Sequence, residues 1–383
     1  MSHESRTFNE ALIGRRGSRL LLDTPALVLD LDAFTRNLEI MQEVASVRGV
    51  ALRPHAKTHK SARIGRAQME AGAVGLCCAK LGEAEALAAE GLDHLLLTSP
   101  VTGGSKVGRL LALNRRLEDL MLAVDDWENA RELGSAAREA GKPLKVLIDV
   151  DVGTHRSGVT SVEDAVALGG LIAETPSLRF CGIQGYAGHV QSIVDYQERR
   201  ATSLAALDVL ARVKTGLEEA GRACPIVTAS GTGTHDFDHE PGILTDLQVG
   251  SYVFLDVIYN GIELSAEHVR RFEPSLFVYS RVVSRRHDRF VTIDAGSKSF
   301  SMDGPMPSLF AGAPDGSTYG RFGDEFGRLE LPQGGGLSVD LGTLTSWIVP
   351  HCDPTLNLFD HYHCVKGDDL VDIWPIEARG CAG

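Results

Sequence analysis

The fold of this chain is most constrained by an alternation of short apolar runs with amphipathic stretches, which continues from about Thr24 to Phe254. The runs are rich in Val, Ile and Leu and mostly lack polar alternation, which is typical of parallel strands buried on both faces. Without the first run, eight strands remain, and eight βα units over roughly 200 residues indicate a (β/α)₈ TIM barrel. A doubly wound open sheet is the alternative, but no Gly-rich fingerprint follows its first strand. The predicted strands are Ala26–Asp30, Ala51–Lys57, Val74–Ala79, His94–Ser99, Leu120–Val124, Leu144–Val150, Phe180–Tyr186, Ile226–Ala229 and Leu247–Phe254.

The amphipathic stretches between these runs predict helices. Asp32 and Asp126 stand where a carboxylate would cap the first turn of two of them. The predicted helices include Ala33–Arg48, Ser61–Ala71, Gly82–Glu90, Trp127–Ala140 and Val162–Ala173.

After about Phe272 the pattern changes, because β-like runs alternate with turns rich in Gly, Pro and Asp while helical periodicity is scarce. This pattern predicts an antiparallel β domain. The stretches Ala311–Gly320 and Gly334–Gly336 are interpreted as surface loops. The predicted strands of this domain are Ser275–Ser284, Phe290–Asp294, Gly327–Leu331, Leu344–Val349 and Leu370–Trp374.

Length, charge and cysteine content exclude several classes of protein. A chain of 383 residues is too long for one ordinary core, so two domains are expected. The net charge of −13 argues against a nucleic-acid binder, because no surplus of basic residues exists to neutralise phosphates. Seven cysteines without a CxxC pair indicate reduced thiols, and no apolar run has the length of a signal peptide or a membrane helix. We therefore expect a cytoplasmic protein that does not contact a membrane.

The segment Arg53–Lys60 suggests amine chemistry at Lys57, which ends the first barrel strand. Basic neighbours on both sides disfavour the charged ammonium form and lower the pKa of a lysine. A neutral amine at physiological pH is what Schiff-base chemistry requires. A basic surface turn is the alternative interpretation.

Three further residues follow strands and are expected at the same end of the barrel. Arg156 follows Leu144–Val150, and Tyr186 and His189 follow the strand that begins at Phe180. Because catalytic groups of such barrels lie at the carboxyl ends of the strands, these side chains should face one mouth together with Lys57.

The segment from Ser230 to Thr234, which reads Ser-Gly-Thr-Gly-Thr, is a candidate phosphate site. Its small residues offer backbone N–H groups and hydroxyls, and it follows one of the last barrel strands, where phosphate sites are frequent. Gly250–Tyr252 could add another N–H group and a phenol. A flexible loop rich in turn-forming residues is the alternative.

His351 and Asp353 form a candidate metal site. On an extended backbone, residues two apart point the same way, and Cys352 between them would point to the other face. An imidazole and a carboxylate suit Mn²⁺, Mg²⁺ or Zn²⁺, and two protein ligands leave coordination positions open. A polar turn closed by Pro354 is the alternative.

Together these segments resemble the D-threonine aldolase and D-serine dehydratase family. Its members are fold-type III pyridoxal-phosphate (PLP) enzymes related to alanine racemase. The resemblance covers nearly the whole chain and is carried by Asp23–Asp32, Arg53–Lys60, Gly75–Lys80, Asp151–Val159, Gly231–Thr234, His351–Asn357 and Trp374–Gly380.

The resemblance implies a homodimer with three regions: 1–32 as an N-terminal segment packing on the β domain, 33–265 as the PLP-binding barrel, and 266–383 as the β domain with the metal site. The expected metal is Mn²⁺, with Mg²⁺ or Zn²⁺ as alternatives. The implied roles are a Schiff base at Lys57, contact with the phenolic oxygen of PLP by Arg156, proximity to the pyridine nitrogen for Tyr186, phosphate binding by Gly231, Thr232, Gly233 and Tyr252, and metal binding by His351 and Asp353.

The implied activity is that of an aldolase, which cleaves a D-β-hydroxy-α-amino acid, similar to D-threonine or 3-hydroxy-D-aspartate, to glycine and an aldehyde. A dehydratase of D-serine or 3-hydroxy-D-aspartate, which gives a 2-oxo acid and ammonia, is the alternative. The aspartate at position 353 matches the aldolase pattern, because dehydratases tend to have cysteine at that position. A racemase, a non-catalytic PLP carrier and a metal-dependent hydrolase are further alternatives.

The chain departs from the aldolase pattern at three positions. Aldolases have Gln, His and His where this sequence has Ala79, Ala187 and Phe326. The His beside Tyr186 is a candidate base in aldolases, so His189 is predicted to replace it. The loss of three polar groups predicts a more apolar or reshaped pocket, and hence a substrate other than D-threonine with a bulkier substituent.

Overall fold

The structure is a computed structural model that describes residues 8–266, 271–332 and 339–383. The predicted loop Gly334–Gly336 lies outside these residues. The chain forms two compact units. One unit contains the described parts of Met1–Leu38, Ser251–Gly261 and Arg271–Arg379, and the other contains those of Glu39–Gly250, Ile262–Arg270 and Gly380–Gly383.

The strands in chain order are β1 (Ala26–Asp30), β2 (Ala51–Leu52), β3 (Leu76–Cys78), β4 (Leu95–Leu97), β5 (Leu120–Val124), β6 (Leu144–Asp149), β7 (Leu178–Gly185), β8 (Ile226–Ala229), β9 (Asp246–Leu247), β10 (Leu276–Ser284), β11 (Phe290–Ile293), β12 (Ser308–Ala311), β13 (Thr318–Arg321), β14 (Gly327–Glu330), β15 (Leu344–Ile348), β16 (His361–Lys366) and β17 (Asp369–Pro375). The helices are α1 (Leu31–Val47), α2 (Ala62–Glu70), α3 (Leu81–Ala89), α4 (Gly104–Arg116), α5 (Trp127–Ala140), α6 (Val162–Ala173), α7 (Tyr196–Glu219), α8 (Val257–Asn260) and α9 (Cys352–Thr355).

The second unit is the predicted TIM barrel. Its eight strands are parallel and follow the order β2-β9-β8-β7-β6-β5-β4-β3. Two backbone hydrogen bonds of 2.8 Å, from the N–H of Val74 to the carbonyl of Leu52 and from the N–H of Cys77 to that of Pro54, join β2 to the β3 side and close the ring. The (β/α)₈ prediction is therefore confirmed, and the open-sheet alternative is wrong.

The first unit is built on a nine-stranded sheet with the main order β13-β14-β11-β10-β1-β16-β17, in which β15 pairs with β10 and β12. The pairs are antiparallel except that β1 runs parallel to β16. One face is covered by a buried cluster that includes Leu12, Leu22, Val28 and Phe277. An antiparallel β domain is thus confirmed, with one parallel pair added.

Three strands of this sheet were not predicted: β12, β13 and β16. The expected loop Ala311–Gly320 is wrong at both ends, because β12 ends at Ala311 and β13 begins at Thr318. Both strands are short, and most of their side chains are exposed or half-buried. A strand without a buried face lacks the apolar pattern that sequence analysis uses.

The helix caps agree with the sequence in one case and correct it in another. The side chain of Asp126 accepts a hydrogen bond from the N–H of Asn129 and caps α5, as expected. Asp32 does not cap α1, because the helix begins at Leu31, two residues earlier than predicted, and Asp30 Oδ1 accepts the N–H groups of Asp32 and Ala33. Among the described residues, no helix is both long and apolar enough to span a bilayer.

Candidate active site

A cavity of about 290 Å³ lies within the barrel unit. Its lining comes from residues at or beyond the carboxyl ends of β2, β3, β4, β6, β7 and β9, the end of a TIM barrel that carries function. Three predicted site residues are among them: Lys57, Arg156 and Tyr186. The complete lining is His55, Lys57, Ala79, Lys80, Thr98, Ser99, Pro100, Arg156, Ser157, Gln184, Tyr186 and Gln248.

Lys57 lies in a short 3₁₀ helix, Ala56–Thr58, directly after β2. His55 precedes this helix, and its Nδ1 accepts the N–H of Lys57 at 3.4 Å. The Nζ of Lys57 lies 5.6 Å from the centroid of the Tyr186 ring, and the guanidinium carbon of Arg156 lies 5.8 Å from the same centroid. The two cations therefore meet at one aromatic ring, within the range of cation–π attraction.

The charge of the cavity lining has one sign. Lys57, Lys80 and Arg156 are cationic, and the described lining contains no Asp or Glu. A low-dielectric cleft lined by like charges attracts ligands of the opposite sign. The cavity therefore suits an anionic ligand.

The basic neighbours expected to crowd Lys57 are engaged elsewhere. Arg53 pairs with Asp246 at 3.2 Å, and Lys60 pairs with Glu83 at 2.7 Å, with both pairs buried. The ring of His59 is fully buried between the N–H of Ser61 and the side chain of Gln68. The expectation that this segment surrounds Lys57 with uncompensated positive charge is wrong, because nearby carboxylates neutralise both cations.

His189 lies in the 3₁₀ helix Gly188–Val190 and is exposed. Its Nδ1 is 3.5 Å from Oγ1 of Thr154, whose hydroxyl donates to the carbonyl of Tyr186 at 2.6 Å. This contact joins the loop after β6 to the end of β7. His189 is not part of the described cavity lining, so its role as a base stays a prediction.

The Ser230–Thr234 loop is buried, and its glycines are required by close packing. A Cβ atom at Gly231 would lie 2.4 Å from the Gln191 side chain, and one at Gly233 would lie 2.2 Å from the Gln191 carbonyl oxygen. The N–H of Gly233 donates to Oε1 of Gln191 at 3.0 Å. The phosphate role of this loop stays a prediction.

Tyr252 belongs to the other unit, where it lies in the 3₁₀ helix Ser251–Val253. Its ring is buried and makes an edge contact with Phe272 at a centroid distance of 6.2 Å. Its expected contribution to a phosphate site is not tested by these contacts.

We expect Gly233→Ala to lower the thermal unfolding temperature. The added methyl group would overlap a backbone carbonyl, which cannot rotate away, and overpacking of this kind costs about 1–3 kcal/mol. Gly108→Ala is the matched control, since Gly108 lies on α4 with nothing within 4 Å of a new Cβ, and alanine in place of glycine stabilises a helix by about 0.5–1 kcal/mol. Equal unfolding temperatures for Gly233→Ala and the wild type would contradict the packing argument.

In the β-sheet unit, His351 and Asp353 are arranged differently from the expectation. His351 is the N-cap of α9 and keeps an extended backbone, but Asp353 lies in the first turn of the helix. The segment is therefore not extended throughout, and the alternation argument is wrong. His351 Nδ1 forms a 2.8 Å hydrogen bond with Oδ2 of Asp303. Because this bond occupies Nδ1, Nε2 is the ring nitrogen that remains available to a metal. Asp303 is separated from His351 by 48 residues, and no sequence pattern connects them.

Cys352, between the two candidate ligands, is fully buried. Its N–H donates to Oδ2 of Asp256 at 2.9 Å, and burial raises the pKa of its thiol well above the ordinary value. Across residues 8–266, 271–332 and 339–383, no cluster of three or more His, Cys, Asp or Glu side chains is arranged to hold a metal. A metal here would therefore have an imidazole and a carboxylate from the protein and open positions for the remainder.

Several cavity residues were missed by the sequence analysis, among them Thr98, Gln184 and Gln248. Gln184 could have been found, because the predicted strand Phe180–Tyr186 contains it two residues before Tyr186, and alternate residues of a strand share one face. Thr98 and Gln248 directly follow β4 and β9, where neutral polar residues gave no distinguishing signal.

Comparison with known proteins adds independent information. Residues 29–256 match the family model described as alanine racemase, N-terminal domain, and residues 275–365 match a serine dehydratase domain. A D-threonine aldolase from Arthrobacter sp. is 38% identical over 94% of this chain and 93% of its own length. A 3-hydroxy-D-aspartate aldolase from Paracoccus denitrificans (strain Pd 1222) is 35% identical, covering 94% and 92%.

Among solved structures, a D-threonine aldolase from Filomicrobium marinum superposes with a TM-score of 0.91. It is 38% identical in sequence, and the match covers 95% of this chain and 98% of that one. The sequence similarity and the structural superposition therefore both extend over nearly the whole chain.

Proposed function

The chain belongs to the family of D-threonine aldolases and D-serine dehydratases, which are lyases with an alanine racemase-like fold, and from this we propose that it is a PLP- and metal-dependent aldolase that cleaves D-β-hydroxy-α-amino acids to glycine and an aldehyde. The observation that carries the proposal is the cavity in which Lys57 and Arg156 approach the Tyr186 ring. The two aldolase relatives support the choice of reaction.

The residues present fit PLP. The cavity offers a lysine amine, a guanidinium and an aromatic ring, and its cationic lining suits a phosphorylated cofactor. Lys57 would form the Schiff base, Arg156 would contact the phenolic oxygen, and Tyr186 would lie near the pyridine nitrogen. Ser230, Gly231, Thr232, Gly233 and Tyr252 would hold the phosphate. Bound PLP supplies an electron sink for the pair left at Cα when the Cα–Cβ bond breaks.

His351 and Asp353 would hold a divalent metal, with Mn²⁺ proposed before Mg²⁺ or Zn²⁺. The donor set fits, since an imidazole and a carboxylate suit these ions and Asp303 fixes the orientation of the imidazole. Such a metal supplies Lewis acidity towards an oxygen ligand. The protein itself moves the proton: His189 accepts the proton of the substrate β-hydroxyl, and its exposure allows exchange with water.

A dehydratase is the second candidate, because residues 275–365 match a serine dehydratase domain. That reaction removes the α-proton and the β-hydroxyl and yields a 2-oxo acid and ammonia. Asp353 favours the aldolase, since dehydratases tend to have cysteine at this position. The two candidates differ in their products.

The substrate side chain is proposed to be bulkier than that of D-threonine. Of the three positions that depart from the aldolase pattern, Ala79 lines the cavity, Ala187 is buried in the barrel unit, and Phe326 is exposed in the sheet unit. A methyl group at Ala79 in place of a Gln side chain leaves space in the cavity. This space is the physical basis for accepting a larger substituent.

A product assay tests the proposal. Purified protein with PLP and Mn²⁺ is incubated with D-threonine, D-phenylserine and 3-hydroxy-D-aspartate, and with their L-enantiomers as matched controls. We expect glycine and an aldehyde from the D-compounds alone, with a bulkier compound turned over faster than D-threonine. A 2-oxo acid with ammonia would instead identify a dehydratase, and fastest turnover of D-threonine would contradict the side-chain argument.

We further propose that the protein is a cytoplasmic homodimer. It acts on a small-molecule substrate and contacts neither nucleic acid nor membrane. The homodimer follows from the family pattern. All seven cysteines are free thiols, which supports a reducing compartment. The measured molar mass in solution tests the dimer.

A further inference from the structure

A buried carboxylate ends β6 beside the cavity. Asp149 is 5% exposed, and both of its oxygens accept hydrogen bonds from cavity-lining residues. Oδ1 accepts from Nε2 of Gln184 at 2.9 Å, and Oδ2 accepts from the hydroxyl of Ser157 at 2.8 Å. This carboxylate takes no part in the proposed reaction steps.

Each of the two bonds leads to a residue that lies one or two positions from Arg156 or Tyr186 in the sequence. Ser157 adjoins Arg156, whose guanidinium lies over the ring. Gln184 lies near the end of β7, which ends at Gly185, and Tyr186 follows directly after the strand. One carboxylate therefore fastens the loop that bears Arg156 to the strand that leads to Tyr186.

The network continues towards Lys57. Nε2 of Gln184 also donates to the carbonyl of Thr98 at 2.9 Å, and the Thr98 hydroxyl lies 3.2 Å from Nε2 of His55. The other ring nitrogen of His55 accepts the N–H of Lys57. Asp149 thus lies within a hydrogen-bond chain that links the segment of Arg156 to β7, which leads to Tyr186, and to the segment of Lys57.

We infer that Asp149 is a positioning residue that holds Arg156, through Ser157, in the place where it binds PLP. This inference rests on the proposed function. Arg156 lies on an exposed loop, and a loop that becomes ordered only when a ligand binds loses conformational entropy at that moment. An anchor on the adjacent residue limits that loss before the cofactor arrives.

Energetics support a role beyond simple packing. Burial raises the pKa of Asp149 to about 6, against the hydrogen bonds from Gln184 and Ser157 and the charge of Arg156, which lower it, while Asp125 raises it further. A buried carboxylate is therefore costly, and neutral residues of similar size often stabilise a fold as well or better. The carboxylate gives what a neutral residue does not: two acceptor oxygens and a negative charge close to Arg156.

The test is a double-mutant cycle read as PLP affinity, measured by absorbance titration of the full-length protein. We expect Ser157→Ala to raise the Kd for PLP about 3–10-fold, because one hydrogen bond to a carboxylate is lost. In the Arg156→Ala background the same change should have almost no effect, since the residue that it positions is absent. Thr160→Ala, which removes an exposed hydroxyl from the same loop, should leave the Kd unchanged.

Asp149→Asn is the second arm, because it sets an NH₂ group against the Gln184 or Ser157 donor and should weaken PLP binding more than Ser157→Ala. If Asp149→Asn does not fold, the Ser157 and Arg156 cycle alone decides. Equal effects of Ser157→Ala with and without Arg156 would overturn the positioning role while leaving the proposed function intact. A wild-type protein that does not bind PLP would overturn both.

Discussion

Lys57→Ala is expected to abolish the visible absorbance that PLP gives with the wild-type protein, and to lower turnover of D-β-hydroxy amino acids by at least about 10³-fold, the scale of loss when a covalent catalytic residue is removed. The reason is chemical, because only a primary amine can form the Schiff base and alanine has none. The half-buried amine of Lys57 lies by the Tyr186 ring in a cavity that suits an anion. An absorbance spectrum with added PLP measures the first effect, and a glycine assay measures the second.

Lys106→Ala is the matched control, since this lysine is exposed on α4 of the same barrel and does not line the cavity. Its absorbance and turnover should equal those of the wild type. Lys80 is the other lysine of the described lining. If Lys57→Ala keeps the absorbance, Lys57 does not form the Schiff base, and the spectrum of the Lys57→Ala/Lys80→Ala double variant decides what does. Loss of absorbance in the double variant would assign the Schiff base to Lys80, and its persistence would contradict the PLP proposal.

The barrel could be predicted from sequence because strands buried on both faces leave a continuous apolar signal. The ends of those strands could not. The run Ala51–Lys57 is hydrogen-bonded as β2 only at Ala51–Leu52, and Leu247–Phe254 contains only the last residue of β9, Asp246–Leu247. In both cases buried residues continue past the strand into a 3₁₀ helix, so burial persists where the hydrogen-bond ladder has ended.

The common location of Lys57, Arg156 and Tyr186 at one cavity could be predicted for the same reason, since the barrel brings all carboxyl ends to one mouth. The partners of those residues could not be predicted. Arg53 meets Asp246 across 193 positions of sequence, and Asp149 meets Gln184 across 35. Such pairs depend on which strands are neighbours around the ring and on their register, and neither is encoded in local periodicity.

The candidate metal site shows a different limit. Spacing alone suggested that His351 and Asp353 share one side of an extended segment, but His351 is the N-cap and α9 begins at Cys352. The helical turn at Cys352 is fixed by Asp256, which accepts the N–H of Cys352 from elsewhere in the unit. The alternation of side chains along an extended segment did not apply here, because a hydrogen bond to a residue distant in sequence stabilises a helical backbone.

Asp353→Ala is expected to keep the PLP absorbance while metal-stimulated turnover falls about 100-fold or more. Removing one of two proposed protein ligands should cost at least as much as removing an outer hydrogen-bond partner, for which 10–100-fold is typical. Turnover at increasing Mn²⁺, compared with the same protein after chelation, measures the effect. Asp315→Ala removes an exposed carboxylate of the same unit and should respond to Mn²⁺ as the wild type does. Undiminished Mn²⁺ stimulation in Asp353→Ala would contradict the proposed metal site and would favour the interpretation of the His351 segment as a polar turn.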